Sequence, residues 1–202
     1  MKQDARLALV LAINLVLIAG LLLVGLLAHS LGVLAAAADY LGDAVGAGLS
    51  LVAYRARRTH AKATTLAALV NASFLLAVTL AVIAEAVRRL ASGAPAVHGV
   101  PVVAVSAVAA IAMLACAVIL GDVGQDLSMQ SVLLDSVADA AAAIGVAISG
   151  AVILATGGNA WLDAVVALTI AVVVAFHALK LLRRVWTELR CARRESNPRP
   201  AA

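Results

Sequence analysis

Charge is what this sequence has least of. Only 13% of its 202 residues are Asp, Glu, Lys or Arg, about half the share found in a soluble domain, while 64% are hydrophobic and the mean hydropathy is +1.08. So few charges cannot cover the exterior of a globule in water, and a soluble core-and-surface domain is excluded. Aromatic residues are scarcer still at 3%. That argues against a lipid-facing barrel with its aromatic girdles and for helices packed through Ala, Val and Leu. Two cysteines, Cys116 in an apolar run and Cys191 in a basic stretch, supply neither a disulfide framework nor a thiolate metal site. No cleavable signal peptide is expected. The first apolar run, from Leu7 to Ala28, exceeds the roughly 7 to 15 residues of a signal h-region and has no clear cleavage site, so it reads as a membrane span.

A span needs about 20 mostly apolar residues, and on that ruler the chain divides into six: Leu7 to Ala28, Leu31 to Tyr54, Thr64 to Val87, Val100 to Leu120, Gln130 to Ala155 and Ala160 to Leu182. The breaks carry loop chemistry, with Pro95 after the third span and Gly157, Gly158 and Asn159 after the fifth. The predicted fold is an all-α membrane protein, a bundle of six transmembrane helices over residues 1–188. A short basic cytoplasmic tail, 189–202, is expected to be disordered. Thirteen of the fifteen Lys and Arg residues fall on the side that holds both termini, and only Arg88 and Arg89 face the other way. The positive-inside rule then places both termini in the cytoplasm. The basic stretch from Lys180 to Arg199 is expected to anchor topology on anionic lipid, with no nucleic acid as partner.

Four acidic residues stand where none should. Asp39 and Asp43 lie in the middle third of the second span, and Asp135 and Asp139 in the first half of the fifth. Each pair is Asp-x-x-x-Asp, which puts two carboxylates one turn apart on one helix face. Each buried Asp costs about 2.5 to 3.5 kcal/mol even on the lenient insertion scale, and no Lys or Arg is available at that depth to offset it. A bound cation or protons must do so. Two pairs brought together give four oxygen ligands, a set that suits a divalent metal held without sulfur or imidazole. The alternative is that the aspartates are neutral and join helices by hydrogen bonds. Ala38, Gly42 and Gly46, and again Ala138, Ala142 and Gly145, form small-residue stripes beside the acids that permit close helix approach.

Other polar residues have plainer readings. Asn14 and Asn71 suit interhelical hydrogen bonds, and His177 sits near the inner end of the sixth span, where an interfacial place is expected. Asp163 in the first turn of that span suits a helix N-terminus and its dipole, with a part in an outer gate as the second reading. Glu85, followed by Arg88 and Arg89, is expected to form an interfacial ion pair.

Several segments together resemble one family. Ser30-Leu31-Gly32-Val33-Leu34 running into Asp39 and Asp43, then Leu66-Ala67-Ala68-Leu69-Val70-Asn71, Glu85-Ala86-Val87-Arg88-Arg89-Leu90, Leu133-Leu134-Asp135 with Asp139-Ala140, and Trp161-Leu162-Asp163 resemble the cation diffusion facilitator transporters. The resemblance covers residues 7 to 188. It implies a homodimer that exchanges cytoplasmic divalent metal for protons, with Asp39, Asp43, Asp135 and Asp139 as the metal site. Many zinc-moving members have His as the first ligand of one or both motifs. The two Asp residues at those positions here imply a preference for manganese or iron(II), with zinc still admissible. Ala36 stands where the family usually has an acid, His60 is the one candidate ligand in the loop after the second span, and the cytoplasmic domain that often follows the sixth span is not found in this sequence.

The expected function is a secondary transporter and not an enzyme: a proton-coupled divalent-metal efflux antiporter, multi-pass in the cell's inner membrane, with no resident cofactor. The alternative is a non-transporting membrane metal sensor or interaction partner of a full-length relative. A carrier of small organic cations ranks last, because Tyr40 alone supplies an aromatic face near the acids.

Overall fold

Long apolar runs interrupted by Gly, Pro, Ser and Asn give six helices. The computed structural model describes residues 3–55, 61–121 and 127–195, and the helices are α1 (Gln3–Leu27), α2 (Leu31–Arg55), α3 (Ala61–Ser92), α4 (Gly99–Gly121), α5 (Leu127–Thr156) and α6 (Trp161–Glu195). No strand occurs among the described residues. The six expected spans fall within these helices with small differences at the ends, but α6 does not stop near Leu182. Its 35 residues, at about 1.5 Å each, make a rod much longer than the roughly 30 Å hydrocarbon layer. Residues 189–195, expected to begin a disordered tail, are helical; Leu, Arg, Ala and Glu favour helix with or without surrounding lipid. Residues 196–202 lie outside the described residues, as do Lys2, Arg57, Arg58 and His60. So do the side chains of Arg6, Arg55, Lys62, Arg184, Arg190, Cys191, Arg193 and Arg194.

Among the described residues five helices are long and apolar enough to cross a membrane: α1, α3, α4, α5 and α6. α2, the sixth expected span, falls short of that apolarity because Asp39, Tyr40, Gly42 and Asp43 interrupt it. Its surroundings explain why this is tolerated. From Leu31 to Val45 no α2 residue is exposed, since α2 packs against α1, α3, α5 and α6. The outer helices turn Val16, Leu26, Ile111, Val118, Leu134 and Phe176 outward, as a multi-pass membrane protein requires. Inside, small and β-branched side chains predominate, with Val33, Ala37, Tyr40, Met113, Val146 and Ala171 in one buried cluster.

Close approach between α4 and α5 depends on two glycines. A Cβ on Gly99 would lie 2.8 Å from the carbonyl oxygen of Gly150, and one on Gly150 would lie 2.8 Å from Cγ1 of Val102. Backbone oxygen cannot turn aside as a side chain can, so Gly99→Ala must push the helices apart. It is expected to cost about 1 to 3 kcal/mol, the range for overpacking, read as a lower thermal midpoint in detergent.

At the end of the bundle assigned to the outside, α1 stops at His29, whose φ of 55° closes a left-handed cap. Ser30 N–H bonds to Gly25 O at 3.0 Å and His29 N–H to Leu26 O at 3.4 Å. Ser30 then opens α2, its Oγ accepting from Val33 N–H at 3.2 Å. The first two N–H groups of α2 are taken by a residue far away in sequence. Asp163 Oδ2 accepts from Leu31 N–H at 2.6 Å, and Oδ1 accepts from Gly32 N–H at 3.2 Å and from Ser30 Oγ at 2.6 Å. Asp163 lies in the first turn of α6, as expected, yet its carboxylate serves the N-terminus of α2. Arg89 from the end of α3 completes the junction. It donates to His29 O at 2.8 Å, pairs with Glu85 at 2.9 Å and stands 3.8 Å from Asp163. Glu85 also holds Arg88 at 2.7 Å, so the expected ion pair is present with both arginines.

Candidate metal site

The two Asp-x-x-x-Asp pairs meet where α2 packs on α5. Asp39, Asp43 and Asp139 each offer a carboxylate oxygen, and these three atoms lie within 4.8 Å of one another. Asp139 is the most enclosed, 3% exposed, and it shares a side-chain hydrogen bond with Asp43 across the helix interface. Beside them Tyr40, fully buried, donates from its hydroxyl to the backbone oxygen of Asp139 at 3.3 Å, which fixes the register of α2 against α5. Among the described residues no Lys or Arg forms an ion pair with Asp39, Asp43, Asp135 or Asp139.

Asp135 is placed differently from the other three. It lies one turn from Asp139 and is exposed, outside the close cluster but on the wall of the same cavity. That cavity, of about 230 Å³, is lined by all four aspartates, by Ala138 and Ala142 of α5, and by Thr169, Ile170, Val173 and His177 of α6. The pairs therefore open into one space, three carboxylates at its floor and the fourth toward its mouth. The reason is geometric: Cβ atoms one turn apart are about 5 to 6 Å apart, so side chains can converge from Asp39 and Asp43 onto Asp139 while Asp135, a further turn along α5, is left outside the cluster.

His177, expected at the membrane interface, lines this cavity. Its spacing carried the signal, since Thr169, Val173 and His177 recur every four residues and so share one face of α6. The small-residue stripe beside the acids has a packing role at Gly42, where a Cβ would lie 2.6 Å from Cδ2 of Leu75 in α3; Ala138 and Ala142 line the cavity itself. Cys116 is buried and free. Asn14 is buried, and its Oδ1 has no hydrogen-bond partner among the described residues.

The three converging carboxylates offer oxygen ligands that could hold a metal ion, and the chain as a whole is similar to known proteins. The chain is 30% identical over 176 residues to the zinc transporter ZitB of Yersinia pestis, an alignment that takes in 82% of this chain and 56% of that protein. It is 29% identical over 176 residues, with the same coverage, to the zinc transporter ZitB of Yersinia pseudotuberculosis serotype I. The chain thus spans little more than half the length of these curated relatives. Residues 7–189, which include every residue that lines the cavity, match the cation efflux transmembrane domain, and the chain belongs to that family, the cation diffusion facilitators.

Proposed function

We propose that this chain carries a divalent metal cation across the cell's inner membrane in exchange for protons, as an efflux antiporter. In this reading Asp39, Asp43 and Asp139 hold the ion at the cavity floor and Asp135 stands at the approach. The observation that carries the proposal is the convergence of three carboxylates within 4.8 Å in a cavity to whose lining no described Lys or Arg contributes. Taken together they need positive charge, and only protons or a metal ion can deliver it to that place. Because a ligand oxygen must be deprotonated to bind metal, one occupant displaces the other, and exchange follows from the site's own composition. The membrane potential and proton gradient then set direction, the potential being worth about 2.3 kcal/mol per charge per 100 mV. An oxygen-only cluster suits hard ions such as manganese and iron(II), whereas the curated relatives are named for zinc.

Purified protein in vesicles provides the test. Metal flux that saturates and is accompanied by counter-movement of protons is expected, and both should vanish in Asp43→Asn. Addition of metal to the protein in weakly buffered detergent should release protons between about pH 6 and 8, where carboxyls with an ordinary value near 3.9 would have none left to give. Raising the pH should shrink that release and strengthen apparent affinity. Binding with neither flux nor proton release would replace the antiporter with a non-transporting metal sensor.

A further inference from the structure

The aspartate cluster contains no nitrogen donor, yet its cavity does. The sequence has four histidines. His29 and His98 face each other at the opposite end of the bundle, ring centroids 6.2 Å apart, and His60 lies outside the described residues. His177 lines the cavity that holds the four aspartates.

Its position is specific. Thr169, Val173 and His177 descend one face of α6, so His177 stands two turns beyond Thr169, roughly 12 Å along the axis, toward the end at which Asp135 sits on α5. Asp135 and His177 line the same cavity, and both are exposed while Asp139 is closed off. Between the mouth and the floor the α6 wall is otherwise poor in ligands. Ile170 and Val173 are apolar, and the hydroxyl of Thr169 is spent on the carbonyl of Val165 at 2.9 Å. An ion that enters from the mouth therefore meets one carboxylate and one imidazole before it meets three carboxylates.

We infer that His177 is a metal ligand of the transport path: with Asp135 it captures the incoming divalent ion at the cavity mouth and biases the protein toward zinc. The inference rests on the transport reading of the aspartate site. Its chemistry is that of ligand softness. Carboxylates alone separate manganese from zinc only through the general affinity order, whereas a neutral imidazole adds affinity chiefly for zinc. A carrier whose buried cluster is oxygen-only can in this way select zinc at its entrance.

Initial rates of zinc and of manganese uptake, measured over a range of concentrations in vesicles holding wild-type protein, His177→Ala and His177→Asp, test this directly. Removing the imidazole should raise KM for zinc about tenfold, the loss seen when a group supporting metal ligation is deleted. KM for manganese should move much less, and maximal rates should stay close to wild type. His177→Asp should lower KM for manganese below that of His177→Ala while leaving KM for zinc above the wild-type value. A zinc-to-manganese ratio that all three proteins share within about twofold would overturn the inference. The X-ray absorption spectrum of protein loaded with two equivalents of zinc, enough to fill both the floor and the mouth of the cavity, gives a reading that does not depend on turnover. Imidazole scattering should be present in wild type and lost in His177→Ala. An oxygen-only spectrum in wild type, or imidazole scattering unchanged by the substitution, would overturn the inference even if transport proceeds. Should wild type move neither metal, the transport reading fails, and the spectrum alone decides whether His177 is a ligand.

Discussion

Replacing Asp163 with Ala is expected to lower stability by about 3 to 5 kcal/mol, a loss at the top of the range for single substitutions. The size follows from how many donors one carboxylate serves. Leu31 N–H, Gly32 N–H and Ser30 Oγ all end on it, and the side chain is 1% exposed, so water cannot easily take its place. Helix N-termini carry a partial positive charge as well as unpaired N–H groups, and Asp163 answers both needs for α2 while belonging to α6. Arg89 would be less affected, because Glu85 and the His29 carbonyl continue to hold it. Asp163→Asn keeps one acceptor and the side-chain volume, so it should lose roughly half as much; Ser30→Ala, which deletes one cap bond, should cost about 1 kcal/mol. Unfolding followed by heat or denaturant in mixed micelles gives the ranking. If Asp163→Ala unfolds together with wild type, solvent reaches this junction and the three bonds do not hold the helices together.

The helices were legible in the sequence because lipid demands apolarity over a fixed length, and a run such as Val100 to Leu120 admits no other element. The aspartates were legible for the complementary reason: a carboxylate amid Ala and Leu is costly enough to imply a purpose. What pattern alone does not carry is the rotation of one helix against another. Asp163 illustrates it, since a first-turn Asp suggests capping, but which N-terminus it caps depends on α6 lying beside the α1–α2 turn. His177 illustrates it again, because nearness to the inner end of a span says nothing about whether the side chain points at lipid, at water or into the cavity. Identical spacing in the two Asp pairs suggested equivalent ligands, whereas the packing of α2 on α5 sets Asp135 apart. The length of α6 departed from expectation for a different reason. Hydropathy measures where a helix can be in lipid and not where it ends, and the residues after Leu182 form helix readily in water.

Asp139→Asn should remove metal-induced stabilisation while leaving the metal-free protein at least as stable as wild type. Three carboxyl groups within 4.8 Å cannot all be ionised without mutual repulsion, on the order of a few kcal/mol for each charged pair at such a distance. Converting the most buried of them to an amide of the same shape relieves that repulsion and leaves an oxygen able to accept. A metal-bound site has the opposite requirement, because the ion needs the charge that the amide lacks. Wild type in metal at about one hundred times its dissociation constant should gain about 2.7 kcal/mol, a rise of several degrees in the melting midpoint at roughly 2 to 4 °C per kcal/mol. Asp139→Asn and Asp43→Asn should show almost none of that rise. Asp135→Asn should keep most of it, since Asp135 lies outside the close cluster and acts on the ion's approach. Loss of the shift to the same extent in Asp135→Asn as in Asp139→Asn would make the four aspartates equal ligands of one ion. A full shift in Asp139→Asn would place the binding site elsewhere in the bundle.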